Sequence, residues 1–575
     1  MKKIIVSAII FFAFVRFFAQ ETLKSTEEEY YDFLSLTGLA ERPTLAYRTL
    51  SDSEWTVTDG NHIWAENNLG TKLTLCRNEN FTENWFTNDI KTNVKIKIYG
   101  PEWYNSYNTA APYGQNDGAL WQGKGYNTSM TAGARLEAYN FELTVKPQVS
   151  FSENKDFELM DNSAYYTNRY AYIWGYGNDK GADAPQRFGD SSFWTYDWGD
   201  TEARWSWHSF TLGFGTQSIW LGPVWLNPLL HSNNAATYPK FDFGLRKTEI
   251  HLPFCDWYIG DIETRMWIGR TTESDYFDNN STNDHNQITG MTFSYAPSFL
   301  PGLTLGVNKI CMSKWDDDEF YKYLNPLYGM KGADDGNEVE DQKISFIADW
   351  LVPKGGIDVY AEFGLDDHIN AKDTIDSYIT HYWHTFTYTF GLKKELTISR
   401  KKNIRGEIIF EWNNTEMSQD FQTEWPYSFG FHHIITQGYT NKGQWLGSGI
   451  GYGGQSQYLA FKFYYEKGTS LFYIHRFNPD NNYIFKEYIY TASDGSNTSE
   501  IHKKTNNSYR GNFAIGFNTN YFIHNSIILG SGISYIREVN PLYDQDEKYA
   551  VRNNFHLTFS AKYTFNLLDI RRYAE

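Results

Sequence analysis

The feature that most constrains the fold of this chain is a segment near its C-terminus in which apolar and polar residues alternate. The apolar residues are Phe555, Leu557, Phe559, Ala561, Tyr563, Phe565 and Leu567, and the residues between them, from His556 to Asn566, are polar. Successive side chains of a β-strand point to opposite faces, so this segment predicts a strand with one apolar and one polar face. A long aromatic strand of this kind is typical of a barrel that faces lipid outside and water inside.

The same alternation recurs along the chain. Its apolar positions include Val94, Ile96 and Ile98; Ile357, Val359, Ala361 and Phe363; Phe386, Tyr388, Phe390 and Leu392; and Leu459, Phe461, Phe463 and Tyr465. No linker, internal repeat or change to helical periodicity divides the chain. The sequence therefore predicts an all-β fold with one large antiparallel transmembrane outer-membrane β-barrel.

The N-terminus has the pattern of a secretory signal peptide over residues 1–20. Lys2 and Lys3 precede an apolar stretch, and a cleavage point is expected near Ala19 or Gln20. An uncleaved membrane anchor is the alternative. Beyond residue 20 there is no apolar run of about 18 residues, so helical membrane spans are not expected. Export combined with barrel strands predicts an integral protein of a bacterial outer membrane.

Residues 21–90 are predicted to form an N-terminal periplasmic segment that precedes the barrel of residues 91–575. Thr26 and Glu29 have capping-box spacing at the start of a short helix over residues 25–39, and Gly38 with Pro43 ends it. A leader without function is the alternative.

The chain is acidic, with a formal net charge of -18, and loss of the three cations of the signal peptide would bring the charge to -21. Nucleic acid is therefore not an expected partner. Acidic residues at 316–319 and 334–341 are interpreted as solvated loops, or alternatively as sites for a divalent cation such as calcium. The sequence otherwise predicts no cofactor, and the three cysteines are too scattered for a disulfide framework or a zinc site.

The sequence offers no complete catalytic constellation. His381 and His384 would point to opposite faces of a strand, as would His432 and His433, so neither pair forms a metal site by itself. No nucleophile-elbow, phosphate-loop or zinc-protease motif occurs. The chain is therefore not expected to be an enzyme.

Three segments rich in Gly, Trp, Asn and Pro interrupt the strand pattern at residues 113–125, 183–189 and 220–239. With the stretch from Tyr360 to Gly364 and that from His433 to Gly447, these segments make the chain similar to the Wzi family of capsule-assembly outer-membrane proteins. The most distinctive motif runs from the Gly-Pro turn after Trp220 to a Ser-Asn-Asn-Ala ending. Five motifs in the family's order make the resemblance specific over about residues 95 to 460.

The resemblance implies a barrel of about 18 strands with a periplasmic helical part, acting as a lectin that holds capsular or related polysaccharide. Aromatic, Asn, Asp and Arg side chains suit sugar recognition. The candidate residues for glycan binding, or for an inward-folded plug, are Asp117, Trp121, Asp183, Arg187, Trp220, Gly222, Pro223, Asn227, Ser232, Asn233, Asn234, Glu362 and His433.

Purely structural interpretations of some of these residues are also open. Gly222 and Pro223 could form a tight turn. Trp121 and Trp220 could belong to an aromatic girdle. Asp183 and Arg187 could form an internal salt bridge.

The predicted function is a non-enzymatic barrel that binds polysaccharide and anchors or assembles it at the cell surface. The alternative is an outer-membrane porin or channel for sugars and small solutes, and a weaker one is a barrel enzyme that modifies lipid or polysaccharide. Expected partners are capsular or extracellular polysaccharide, outer-membrane lipid and the polysaccharide export machinery. The polar tail from Asn566 to Glu575 differs from the aromatic ending common in barrels, which leaves the position of the last strand open.

Overall fold

The structure is a computed structural model. It describes residues 17–20, 24–67, 73–76, 84, 87, 90–163, 165–175, 181–316, 320–326, 340–366, 386–418, 429–488 and 507–565. No helix within these ranges is long and apolar enough to cross a membrane.

The described chain forms a closed antiparallel barrel of 18 strands. The strands are β1 (Val94–Asn108), β2 (Gly125–Ala138), β3 (Phe141–Val145 and Gln148–Ser152), β4 (Phe193–Asp197 and Glu202–Trp207), β5 (Phe210–Gly215), β6 (Lys240–His251), β7 (Tyr258–Thr272), β8 (His285–Pro297), β9 (Leu303–Lys314), β10 (Glu340–Val352), β11 (Ile357–Asp366), β12 (Thr387–Ser399), β13 (Ile404–Asn414), β14 (Gln455–Tyr465), β15 (Gly468–Asn478), β16 (Gly511–His524), β17 (Ile527–Val539) and β18 (Val551–Tyr563). Each strand pairs with the next, and β18 pairs with β1, for example Leu557 with Tyr107. The predicted fold class is confirmed.

Alternating side chains of β18 face outward and inward as predicted. Phe555, Leu557 and Phe559 are 45%, 43% and 42% exposed, whereas Asn554 and His556 are buried in the barrel interior. The strand ends at Tyr563, earlier than the alternation in the sequence suggests. Residues 566–575 lie outside the described residues. The exposed aromatic face is the one that suits contact with lipid.

The two ends of the barrel differ in the length of their connections. At one end the turns are short, as at residues 139–140, 208–209, 400–403, 466–467 and 525–526. At the other end the connections are long, as at residues 109–124, 153–192, 216–239 and 415–454. Because outer-membrane barrels have short periplasmic turns and long extracellular loops, the long connections belong to the outer face.

A helix, α1 (Thr26–Leu36), lies inside the barrel near the short-turn end. Its residues Tyr30 and Phe33 are buried against Tyr464 of β14 and Phe522 of β16. The helix prediction is confirmed, but the predicted capping box is one residue out of register. Ser25, rather than Thr26, is the N-cap, and its hydroxyl accepts a hydrogen bond from the Glu28 N–H at 3.1 Å.

The remaining elements are short. They are strands Phe17–Gln20, Ala40–Glu41, Tyr47–Arg48, Glu54–Val57, Leu73–Cys76, Trp220–Leu221, Thr440–Asn441 and Gln444–Trp445, the 3₁₀ helices Phe320–Leu324 and Pro353–Gly355, and helix α2 (Asn482–Tyr488). Strand Phe17–Gln20 pairs with Glu54–Val57. It covers the last four residues of the predicted signal peptide, residues 1–16 of which lie outside the described residues.

Candidate functional site

Long connections from the outer end fold into the barrel and fill much of its interior. We call residues 109–124, 216–239 and 429–454 the plug. Residues 216–239 and 429–454 of the plug form an apolar cluster with residues of the connection 153–192 and of the wall; its members include Trp174, Leu221, Leu230, Trp267 and Tyr439, all fully buried. The predicted inward-folded plug is therefore present.

Two parts of the plug are joined by hydrogen bonds from predicted site residues. The Ser232 hydroxyl donates to the Gly447 carbonyl at 2.6 Å, and the Asn234 side chain donates to the Trp445 carbonyl at 3.0 Å. Both side chains are buried. These polar groups are satisfied by the protein itself, so their observed role is to hold residues 216–239 against residues 429–454.

The segment after Trp220 bends sharply. Gly222 has φ = 77°, a conformation that favours glycine, and its N–H donates to the Ala46 carbonyl at 2.8 Å. Pro223 follows directly, in agreement with the turn interpretation. The Trp220 ring is fully buried, with its indole N–H donating to the Val224 carbonyl at 2.9 Å. Its assignment to an aromatic girdle at the membrane interface was wrong.

Inward-facing glutamates of the wall hold the plug through its backbone. Glu411 of β13 accepts hydrogen bonds from the N–H groups of Trp225, Leu226 and Asn227 at 3.0, 3.0 and 2.8 Å. Glu362 of β11 accepts one from Leu229 at 2.8 Å. Glu362 was among the predicted site residues, whereas Glu411 was missed. Its inward position was readable from the strand alternation, but its partners were not.

A third glutamate repeats this arrangement with the N-terminal segment. Glu263 of β7 accepts hydrogen bonds from the N–H groups of Leu45, Ala46 and Tyr47 at 2.9, 2.7 and 3.1 Å. Backbone N–H groups buried in a protein interior need an acceptor, and a carboxyl side chain supplies two oxygens. The three carboxylates therefore fix otherwise unpaired backbone donors of the interior to three different strands.

Asp183 and Arg187 do not form the salt bridge that the sequence suggested. The Asp183 carboxylate accepts hydrogen bonds from the Ser274 N–H at 2.6 Å and the Gly443 N–H at 3.1 Å. Arg187 instead contacts Asp156 at 2.6 Å and Asp190 at 3.2 Å. Burial raises the pKa of Asp183 to about 7, since its hydrogen bonds offset the loss of hydration only in part.

The connection 109–124 carries Asp117 and Trp121. The Asp117 carboxylate accepts a hydrogen bond from the Gln122 side chain at 2.7 Å, and burial raises the pKa of Asp117 to about 7. Trp121 packs on Phe188 of the connection 153–192, with ring centroids 4.9 Å apart, and thus lies among the connections at the long-loop end. Its girdle assignment was also wrong. The carbonyl of Asn233 accepts a hydrogen bond from the Gly118 N–H at 2.8 Å.

His433 is the predicted site residue that is clearly exposed. It lies in the outer part of the plug beside His432, with ring centroids 4.7 Å apart. His432 Nδ1 accepts hydrogen bonds from the N–H groups of Ile434 and Ile435 at 3.2 and 3.1 Å, which fixes the local turn. Most of the other candidates are buried, so their direct contact with a glycan stays a prediction.

A cavity of about 520 Å³ remains between the plug and strands β1 and β14 to β18; we call it the luminal cavity. It is lined by Lys24 and Glu29 near the short-turn end and by Arg510 and Glu538 near the long-loop end. Hydroxyl groups on its wall belong to Tyr104, Tyr113, Tyr473, Ser534, Thr558 and Ser560, and amide groups to Gln122, Asn512 and Asn518. The cavity thus combines many neutral hydrogen-bonding groups with aromatic side chains.

An aromatic row crosses one side of the luminal cavity. The rings of Trp225 and Tyr458 are 5.4 Å apart at 28°, and those of Tyr458 and Tyr473 are 5.5 Å apart at 26°. The Tyr473 hydroxyl lies 3.2 Å from the Tyr113 hydroxyl. Offset stacking of this kind fixes the rings and leaves polar tips next to apolar carbon.

The charged groups at the short-turn end of the luminal cavity compensate one another. Glu29 forms ion pairs with Lys24, at 3.6 Å, and with Lys462. Lys24 also donates to the Trp225 carbonyl at 2.6 Å, and burial lowers its pKa to about 8. Within the described residues no group of three or more His, Cys, Asp or Glu side chains is arranged to hold a metal ion.

The acidic loops proposed for calcium are only partly described. Asp316 is described, whereas residues 317–319 and 327–339 lie outside the described residues. Asp341 lies on β10 and accepts a hydrogen bond from the Lys343 ammonium at 2.6 Å. A cation site in these loops therefore stays a prediction.

Comparison with known proteins gives one family match. The sequence model described as capsule assembly protein Wzi matches residues 105–548. Comparison with curated proteins gives no match. Among solved structures, the Escherichia coli outer-membrane protein Wzi, described as a carbohydrate-binding β-barrel involved in group 1 capsule assembly, aligns with a TM-score of 0.58 and 11% identity over 95% of this chain and 100% of that one. At that identity the likeness shows the shared fold.

Two other barrels align with lower scores. OprB of Pseudomonas putida has a TM-score of 0.36 and 10% identity over 81% of this chain and 94% of that one. OccAB2 of Acinetobacter baumannii has a TM-score of 0.35 and 13% identity over 84% of this chain and 100% of that one.

Proposed function

The chain belongs to the Wzi family of capsule assembly proteins, and from this premise we propose that it binds polysaccharide and holds it at the cell surface. It is an integral β-barrel of the outer membrane. In this role the protein anchors or assembles capsular or extracellular polysaccharide and carries out no catalytic step. Outer-membrane lipid, which would contact the exposed aromatic surface of the barrel, and the polysaccharide export machinery are the further partners that we propose.

The observation that carries the proposal, beside family membership, is the plug. A diffusion channel needs a continuous polar lumen. Here residues of the connections 153–192, 216–239 and 429–454 pack into a buried apolar cluster inside the barrel, and the wall glutamates Glu362 and Glu411 hold the connection 216–239 through backbone hydrogen bonds. An interior built in this way favours a rigid binding protein over the porin that the sequence left as the alternative.

The net charge decides which interactions can provide affinity. A protein of formal charge -18 repels an acidic polymer, and salt weakens such repulsion without reversing it. Affinity should therefore come from hydrogen bonds and aromatic contacts, or from divalent cations that bridge acidic loops to acidic sugars. If the glycan is acidic and cations bridge it, a chelator weakens binding.

The proposal is tested in a strain from which the gene has been deleted. We expect the cells to make polysaccharide in normal amounts but to release it into the medium. Retention of polysaccharide at the cell surface should recover when the deletion is complemented with the full-length gene. Quantifying cell-bound and free polysaccharide after gentle centrifugation separates retention from synthesis. Normal retention in the deletion strain would contradict the anchoring role, and loss of synthesis would place the protein at an earlier step.

A further inference from the structure

The luminal cavity has the size and lining of a ligand site. Its volume of about 520 Å³ falls in the range of small-molecule pockets, about 300–1,000 Å³. A long polymer does not fit a space of this size, but a short oligosaccharide does. The cavity also reaches the long-loop end of the barrel, where Arg510 and Glu538 line it. A segment of surface polysaccharide would therefore enter from the outer face.

The lining contains a buried acceptor that the protein leaves unused. Asn512 of β16 is 4% exposed and lines the luminal cavity, and among the described residues its side-chain oxygen Oδ1 has no hydrogen-bond partner. An unsatisfied buried acceptor is costly unless something donates to it. The nearby wall is rich in hydroxyl groups, which a saccharide can match because its own hydroxyls both donate and accept.

The charges that line the cavity balance one another, so they give an acidic ligand no net attraction. At the short-turn end Glu29 is shared by Lys24 and Lys462, and at the long-loop end Glu538 is paired with Arg552 at 2.7 Å. Asp117 is held by Gln122. Arg510 forms no ion pair within the described residues, but the lining holds three cations and three carboxylates in all, so recognition rests mainly on neutral hydroxyls and amides.

From these observations we propose that the luminal cavity binds a short uncharged segment of the saccharide that the protein holds. The ring edges of Trp225, Tyr458 and Tyr473 supply apolar contact for the C–H groups of the sugar rings, and Asn512 with the wall hydroxyls supplies hydrogen bonds. The inference rests on the proposed function. It places a saccharide-binding site inside the barrel, whereas the proposed function alone would also be met by binding at the surface loops.

The test uses full-length protein in which the three native cysteines are replaced by serine. Thr558→Cys places a thiol on the cavity wall, and Ser281→Cys places a matched control thiol in an exposed outer loop. Each is modified with a bulky uncharged methanethiosulfonate, and binding of polysaccharide isolated from the host is measured before and after. Blocking the cavity should weaken binding about tenfold or more, while the modified control binds as before.

Protection experiments test the ligand class. Fragments from partial hydrolysis of the same polysaccharide are separated into neutral and acidic pools by anion exchange. The neutral fragments should slow modification of Thr558→Cys and leave that of Ser281→Cys unchanged. Protection by the acidic pool alone would overturn the uncharged assignment. Unchanged binding after modification, no protection, or a Thr558→Cys thiol that the reagent never reaches would overturn the site.

A second variant separates binding from folding. Asn512→Leu removes the unused acceptor, so it should leave heat stability in detergent unchanged or improved while weakening binding about tenfold. Equal binding by this variant and the parent protein would count against the site. Failure of the unmodified parent protein to bind host polysaccharide would instead refute the proposed function, which keeps the two failures distinct.

Discussion

Glu411 in the barrel wall accepts a hydrogen bond of 2.8 Å from the backbone N–H of Asn227 in the plug, 184 positions earlier in the chain. The same carboxylate also accepts hydrogen bonds from the N–H groups of Trp225 and Leu226. One side chain of the wall thus accepts hydrogen bonds from three consecutive backbone N–H groups. None of these N–H groups belongs to a helix or strand. The position of this part of the plug depends on Glu411.

Replacing Glu411 with alanine should therefore loosen the plug. Removal of an acceptor that leaves buried donors unpaired costs on the order of 1–3 kcal/mol. We expect a lower midpoint of thermal unfolding in detergent and faster proteolysis within residues 216–239. Glu249→Ala, at an exposed position of β6, is the matched control and should behave like the parent protein. Equal effects of the two substitutions would refute a specific role for Glu411.

The alternation in β18 predicts a difference between neighbouring residues. Phe559 faces outward and is 42% exposed, whereas Thr558 lines the luminal cavity. Phe559→Arg would place a charge against lipid and should cost about 2–4 kcal/mol near the bilayer midplane, whereas Thr558→Arg should insert well. Folding into lipid vesicles, followed by the shift in gel mobility between folded and unfolded barrel, measures both. Equal damage would contradict the assigned orientation.

Much of the barrel could be predicted from the sequence because a two-residue period is a local property. The alternation from Phe555 to Tyr563 fixed both the strand and its lipid-facing side. The start of helix α1 was predicted less well: Thr26 and Glu29 fit a capping box as well as Ser25 and Glu28 do, and the sequence gives no means of choosing.

The interior could be predicted only in outline. Turn-rich segments indicated a plug, but which residues would meet depended on contacts between distant parts of the chain. Asp183 accepts hydrogen bonds from Ser274 and Gly443, and so the nearby Arg187 was the wrong partner. Trp220 is buried in the plug and not in a girdle. The sequence could not distinguish these two places, because both environments suit an aromatic ring with a polar N–H.

The plug should also limit the ion conductance of the barrel. Because the apolar cluster around Leu221 and Leu230 occupies much of the lumen and helix α1 lies at the short-turn end of the barrel, the intact protein should show little steady conductance in planar bilayers. Deletion of residues 222–234 removes the segment that Glu362 and Glu411 hold, and should either open a pore or prevent folding. Gel mobility distinguishes these two results. A large steady conductance from the unmodified protein would favour the porin function.

The stability of the folded protein should depend on pH through its buried carboxyl groups. The Asp183 carboxyl is buried in the plug with its pKa raised to about 7, whereas an aspartate in the unfolded chain has an ordinary pKa of about 4. Between these values the folded protein binds more protons than the unfolded chain, so stability should fall as pH rises from about 4 to about 7. For one group the slope reaches about 1.4 kcal/mol per pH unit, and above pH 7 this contribution is constant. Asp117 acts in the same direction.

The measurement compares heat unfolding in detergent at several pH values for the parent protein and for Asp183→Asn. The asparagine cannot ionise, and its side-chain oxygen can still accept a hydrogen bond from Ser274 or Gly443, so the variant should lose less stability between pH 5 and pH 7 than the parent does. Asp161→Asn, at an exposed loop position, controls for the change of charge and should keep the parental pH dependence. Identical pH dependence in Asp183→Asn and the parent would show that the buried carboxyl does not titrate in this window.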